Sequence, residues 1–210
     1  MNGPLPIAFR DRWLVVIDKP AGLPTSGRTL EDPNCAQFLL AEQLGEPVWA
    51  VHQIDAGTTG LNLFVRRKSA VEVFTDKLKK GEKHYLAVVS GVVPWDAQII
   101  EAPIGHDDER RTWVVAETGR AARSDVTVLS RGSATTVVNV RIHTGRTHQV
   151  RVHLSHVGHP LLGDTRYGGP AVPGFDRPAL HAHRIRLPGV PDLEAPIPAD
   201  LAALLGRLQA

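Results

Sequence analysis

One carboxylate, Asp55, stands in the stretch HQIDAGTTGLNLFV (residues 52–65), between short polar residues and an apolar run with strand character. Aspartate is disfavoured inside strands, so two readings stay open. Asp55 is a turn residue bonding its own backbone, or it is an acid held at the edge of a cleft. The densest cationic chemistry lies further on, in RIHTGRTHQVRVHLSHVGHPLLGDTRYGG (141–169). This block carries His143, His148, His153, His156 and His159, with Arg141, Arg146, Arg151 and Arg166, and its only acid is Asp164. A zinc site needs three or four ligands converging at about 2.0–2.3 Å. His148 and His156 lie eight apart, no pair has i, i+4 spacing, and no Glu stands among them as a base. A metal-dependent hydrolase is therefore the weaker reading, and no metal is expected. A basic turn and helix facing an anion is the better one, because helix N-termini and guanidinium groups suit phosphates or a carboxylate. Asp55 is a natural carboxylate for such a guanidinium, although spacing alone does not choose which arginine. Tyr85, in KHYLAVVSG, offers an aromatic face for a base or a half-buried strand tyrosine.

These residues need a scaffold. WLVVID (13–18) reads as a strand stopped by the Pro/Gly loop KPAGLPTSG. Residues 34–45 have helical spacing at Cys35, Phe38 and Leu39, with a stop at Gly45. LNLFV (61–65) is a strand. Residues 69–81 form the clearest helix, with Ser69 and Glu72 as a capping box and Gly81 as its end. Strands are expected at 84–93 and 135–142, with several short strands and charged turns over 98–130. A helix follows HTGRT, with Val150, Leu154 and Val157 on one face, and a last helix is capped by Asp200. Strands outnumber helices without regular alternation, which predicts an α+β fold with a mainly antiparallel mixed sheet, flanking helices and a central cleft.

The chain has 210 residues, of which 42% are apolar, enough for one large domain or a compact two-lobed one. Its net charge of +2 is compatible with nucleic acid without arguing for it. A single cysteine, Cys35, excludes an intramolecular disulfide and a cysteine zinc site. The first residues lack a basic-then-apolar leader pattern, and no uncharged apolar run approaches the ~20 residues of a membrane helix. A cytoplasmic, monomeric protein is expected, with no membrane association.

Taken together, the stretches resemble the RluA-type family of RNA pseudouridine synthases. The resemblance rests on KPAGLPT (19–25), HQIDAGTTG (52–60), KHYLAVVSG (83–91), TGRTHQVRVHLSHVGHPLLGDTRYG (144–168), LHAHRIRLP and APIPADL. It implies a pseudouridine synthase catalytic fold over residues 1–210 as a single domain, without an N-terminal accessory RNA-binding module. It implies an isomerase that detaches a uridine base from C1′ of its ribose, turns it, and rejoins it through C5, without cofactor or metal. The partner is RNA, ribosomal or transfer. The resemblance makes Asp55 the essential acid, Arg151 its cationic partner, Val150 the small apolar neighbour and Tyr85 the group against the target base. It places Lys19, His52, Gln53, Thr58 and Arg146 on the RNA. The chain departs from the family pattern at Gln53, where the family has Arg, and more mildly at Ile54 and Thr59. Gln53 gives less electrostatic help toward RNA, so an inactive RNA-binding protein on the same scaffold is the alternative expectation.

Overall fold

The computed structural model describes residues 3–29 and 31–209, with twelve strands and four α-helices among them. The chain divides into two compact units: residues 1–83 with 181–196, and residues 84–180 with 197–210.

In the first unit, β1 (Ile7–Arg10), β2 (Leu14–Lys19), β4 (Thr59–Val65) and β11 (Leu180–Arg186) lie side by side. The short β3 (Trp49–Ala50) pairs with β4, and β12 (Leu193–Glu194) with β11. Every pairing here is antiparallel except β4 with β11, which is parallel. Side chains alternate across a sheet, so the β2–β4 register sorts two faces. Leu14 and Val16 pair with Val65 and Leu63 and pack toward Phe74 and Leu78 of α2 (Val71–Lys80). Val15, Ile17 and Phe64 face the other way, onto Ala36 and Leu40 of α1 (Ala36–Leu44). Both faces are covered, which is why β4 is buried throughout. Lys19 lies on the α1 face, opposite Gly60. Gly60 has φ +106°, and a Cβ there would meet the Ala182 backbone of β11, so this close parallel approach requires glycine.

Helix α1 starts and stops as its sequence predicts. Cys35 is the N-cap, its Sγ accepting the Phe38 N–H, and Gly45 closes it in the left-handed conformation. The buried stripe is Cys35, Ala36 and Leu40, with Phe38 and Leu39 only half-buried. The Ser69–Glu72 capping box does not form. Ser69 sits in a 3-10 turn (Lys68–Ala70), Ala70 takes the N-cap position, and no side chain caps α2. A capping hydroxyl needs extended backbone, and the 3-10 turn denies it to Ser69.

β5 (Glu82–Ser90) begins and ends before the expected 84–93, and the chain passes from the first unit to the second within it. In the second unit β10 (Thr135–Ile142) lies between β5 and β9 (Arg123–Arg131), and β6 (Ala97–Glu101) pairs with β9. β7 (Ile104–Asp107) and β8 (Thr112–Val115) make a separate hairpin around the charged turn. Helix α3 (Gln149–His156) packs Val152 against Ile104 and Ala122. Helix α4 (Ala199–Gln209) packs Leu201 and Leu204 on Leu86 and Val88. Asp200 lies inside the first turn of α4 rather than ahead of it. It accepts a two-pronged bond from Arg177 at 2.7 and 3.0 Å. The fold is thus α+β and mainly antiparallel, as the sequence predicts. Among the described residues no helix is long and apolar enough to cross a membrane.

Candidate active site

Asp55 sits between two short strands, where the chain makes a turn before entering β4. The Asp55 carbonyl accepts the Thr58 N–H at 3.0 Å, closing that turn, and the residue is half-buried. Its backbone is therefore a turn, as the first reading expects, and a carboxylate on a half-buried turn is also compatible with the second. The loop after β2 is stitched along this segment. The Thr25 hydroxyl donates to the Ile54 carbonyl at 3.1 Å and accepts the Ile54 N–H at 3.0 Å. Gly22 N–H reaches the Ala56 carbonyl at 2.8 Å. Ser26 and Gln53 bond through their side chains, with Gln53 Nε2 donating to Oγ at 2.9 Å. Lys19 completes the seam. Its Nζ donates to the carbonyls of Pro20, Leu23 and Ala56 at 2.9, 2.7 and 3.2 Å. A buried ammonium requires such oxygen partners. Lys19 has no exposed surface, and Thr58 is only 2% exposed. Both shape the loop that carries Asp55. The register opposite Gly60 explains Lys19, because it points the side chain onto the covered α1 face.

His52 is built into the same loop. Its Nε2 accepts the Leu63 N–H at 3.3 Å, and its carbonyl accepts from Asn62 Nδ2 at 3.1 Å. Burial, reinforced by the Lys83 charge and opposed by a hydrogen bond with the Gln53 backbone, pushes its pKa down to about 3. The ring is neutral at pH 7, so it offers RNA no positive charge. His153 is shifted the same way by burial. Both folded-state values lie below the unfolded value near 6.5. As pH falls below about 6.5 the unfolded chain takes up protons that these rings refuse, and stability falls, by up to about 1.4 kcal/mol per pH unit for each ring. Urea midpoints should therefore drop between pH 7 and pH 5, above the range where carboxylates titrate. His52→Gln, which keeps an acceptor near the Nε2 position, should flatten that dependence. An unchanged slope would mean that His52 is protonated in the folded protein.

In the second unit, α3 carries Val150 and Arg151, and both are buried. Arg151 forks onto Asp164, Nε to Oδ2 at 2.7 Å and Nη2 to Oδ1 at 2.8 Å. Its guanidinium lies over the Tyr167 ring, 4.8 Å from the centroid. The Tyr167 hydroxyl meets His148 Nδ1 at 2.7 Å, and His148 enters α3 with φ 56°. That is a left-handed conformation, uncommon outside glycine. Residues Gln149 to Leu154 are all buried, so α3 has no single apolar stripe. Its polar groups are satisfied inside. His153 Nε2–H donates to the Ala102 carbonyl at 3.0 Å, which leaves Nδ1 to accept from the Ser124 hydroxyl at 2.9 Å. Gln149 Nε2 donates to Ser124 Oγ and to the Arg123 carbonyl. This network fixes the helix that presents Arg151. Tyr85 is buried on β5, and half-buried Arg146 donates Nε to the Ala121 carbonyl at 2.9 Å.

The structure therefore gathers Lys19, His52, Gln53, Asp55 and Thr58 in the first unit, and Tyr85, Arg146, Val150 and Arg151 in the second. Three positioning residues were not singled out from sequence: Thr25, Asp164 and Tyr167. Asp164 had a visible signal, as the single acid among four arginines in its block. Among the described residues no three His, Cys, Asp or Glu side chains converge as a metal-binding group.

The chain is an α+β protein with a mainly antiparallel sheet. The structure aligns with Human RNA Pseudouridylate Synthase Domain Containing 4 at a TM-score of 0.80 and 26% identity, covering 97% of this chain and 92% of that one. The profile of the RNA pseudouridylate synthase family matches residues 13–156. The chain belongs to this family of isomerases. The Nitrosomonas europaea protein named Ribosomal large subunit pseudouridine synthase D is 38% identical over 227 residues, covering 98% of this chain and 66% of that protein. The Pseudomonas aeruginosa protein of the same name is 36% identical over 233 residues, covering 98% and 72%. The chain thus spans roughly two thirds to three quarters of the length of these relatives.

Proposed function

We propose that this chain converts a uridine of ribosomal RNA to pseudouridine, acting as a cytoplasmic monomer, with Asp55 as the essential acid and Arg151 as its cationic partner. The observation that carries the reading is the carriage of Asp55. A half-buried acid sits on a turn whose backbone is held by Lys19, Gly22 and Thr25. A loop so fixed through its backbone holds the acid in one geometry, and preorganised geometry lowers the barrier. Tyr85 receives the target base and Val150 lines its place, while Gln53 and Arg146 meet the RNA around it. A stacked uridine must first leave its helix, at a cost of a few kcal/mol that phosphate contacts offset. The N1–C1′ bond then breaks, a C5–C1′ bond forms, the C5 proton leaves, and N1 gains one. No oxidant or reductant enters this balance. The names of the two bacterial relatives, ribosomal large subunit pseudouridine synthases, support a ribosomal substrate.

The test is tritium release. Large-subunit RNA labelled at C5 of uridine is prepared from cells lacking this protein and mixed with purified enzyme. Escape of label to water supports the reading. Escape from transfer RNA alone would move the substrate class. Absence of release from both, with RNA still bound, would favour the inactive binding protein.

A further inference from the structure

The end of the first unit's sheet away from Asp55 carries a second cluster that the reaction does not use. β2 and β4 run antiparallel, so Trp13 and Arg66 meet at one end of the pair while Lys19 and the Asp55 turn lie at the other. Seven strand residues at about 3.3 Å each put roughly 20 Å between the two ends. RDRW (10–13) and RRK (66–68) bring five cations there. Two acids accompany them, and both are committed. Asp11 Oδ1 accepts the N–H groups of Trp13 and Leu14 at 2.6 and 2.7 Å, and Glu46 pairs with Arg66 and Arg10. Arg12, Arg67 and Lys68 are exposed, and none of the described acids forms an ion pair with them. Trp13, 37% exposed, holds two of the three in place. The Arg12 and Arg67 guanidiniums lie 5.1 and 5.4 Å from its ring centroid.

We propose that Arg12, Arg67 and Lys68, arranged around Trp13, form a phosphate-binding site for RNA that flanks the modified nucleotide. Three uncompensated cations at one corner suit a chain bearing one negative charge per nucleotide. A guanidinium held beside an aromatic ring gives up less freedom when it forks a phosphate. The choice of RNA as the anion rests on the proposed function. At a rise of about 3.4 Å per nucleotide, 20 Å is about six nucleotides of stacked strand, so one RNA can occupy both ends.

The test is fluorescence anisotropy with a labelled, unstructured 40-nucleotide RNA, comparing wild type with Arg12→Ala/Arg67→Ala/Lys68→Ala. The variant should bind about tenfold more weakly at 100 mM salt. The slope of log affinity against log salt should shrink by about 2, three phosphates at about 0.7 each. Its turnover at saturating RNA should stay at the wild-type rate. Arg12→Lys/Arg67→Lys, which keeps the charge, should retain most of the slope. Equal affinity and equal slope in the triple variant would overturn the proposal, as would wild-type protein that binds no RNA. Loss of polyglutamate binding with RNA binding intact would assign the corner to an acidic protein and overturn it too. Anisotropy needs no turnover, so an enzyme without tritium release could still carry this site, and the two failures are distinguishable.

Discussion

Asp55→Asn is expected to release no tritium from C5-labelled RNA while binding that RNA within about tenfold of wild type. The substitution keeps the shape of the side chain and removes its charge and its basicity. Much of the loop's form is held through its backbone. Thr58 N–H closes the turn on the Asp55 carbonyl, Thr25 grips Ile54 from both sides, and Lys19 and Gly22 converge on the Ala56 carbonyl. The turn should therefore survive, and RNA contacts made elsewhere should survive with it. A group that serves the transition state alone lowers kcat and leaves ground-state affinity in place. Asp55→Glu gives the complementary result. It restores the carboxylate one methylene further out, and a displacement of about 1 Å costs on the order of 10²-fold. If Asp55→Asn lost RNA binding by much more than tenfold, the acid would be an affinity or folding element, and its role in the reaction would fall.

The residues around this acid show what the sequence could and could not disclose. Gly45, the strand LNLFV and the 3.6-residue period of 69–81 are local signals, and the elements they announce are present. Caps were less legible. Ser69 lost its role to a 3-10 turn that no short-range pattern signals, and Asp200, the second residue of α4 rather than its cap, meets Arg177, a partner 23 residues away. Lys19 was hidden for another reason. A lysine before proline at a strand end reads as surface, and only the pairing with Gly60 and the packing of α1 turn it inward. His52 likewise reads as a polar residue near RNA until burial and Lys83 remove its charge. The chemical types at the site were thus visible, whereas their division into positioning and contacting groups depended on burial. Arg151 was half legible: its buried fork onto Asp164, thirteen positions on, depends on packing that spacing does not announce.

That partnership makes the second large effect a double-mutant cycle. Arg151→Met should lower tritium release by about 10²–10³, the usual cost of removing a preorganised charge from a reacting site. It should also destabilise the fold by about 3–5 kcal/mol, because Asp164, whose side chain is 1% exposed, is left buried and unpaired. Asp164→Leu should be destabilising in turn, since it removes the two-pronged carboxylate partner of the buried guanidinium. The double variant Arg151→Met/Asp164→Leu replaces a buried ion pair with apolar groups of similar bulk, and such replacements are often neutral or better. Its urea midpoint should return to near wild type while its turnover stays at the level of Arg151→Met. The divergence separates the two duties of the arginine: stability follows the pair, and rate follows the cation. Recovery of turnover together with stability in the double variant would show that Arg151 serves only the fold, and Arg146 would then be the next arginine to test as the partner of Asp55.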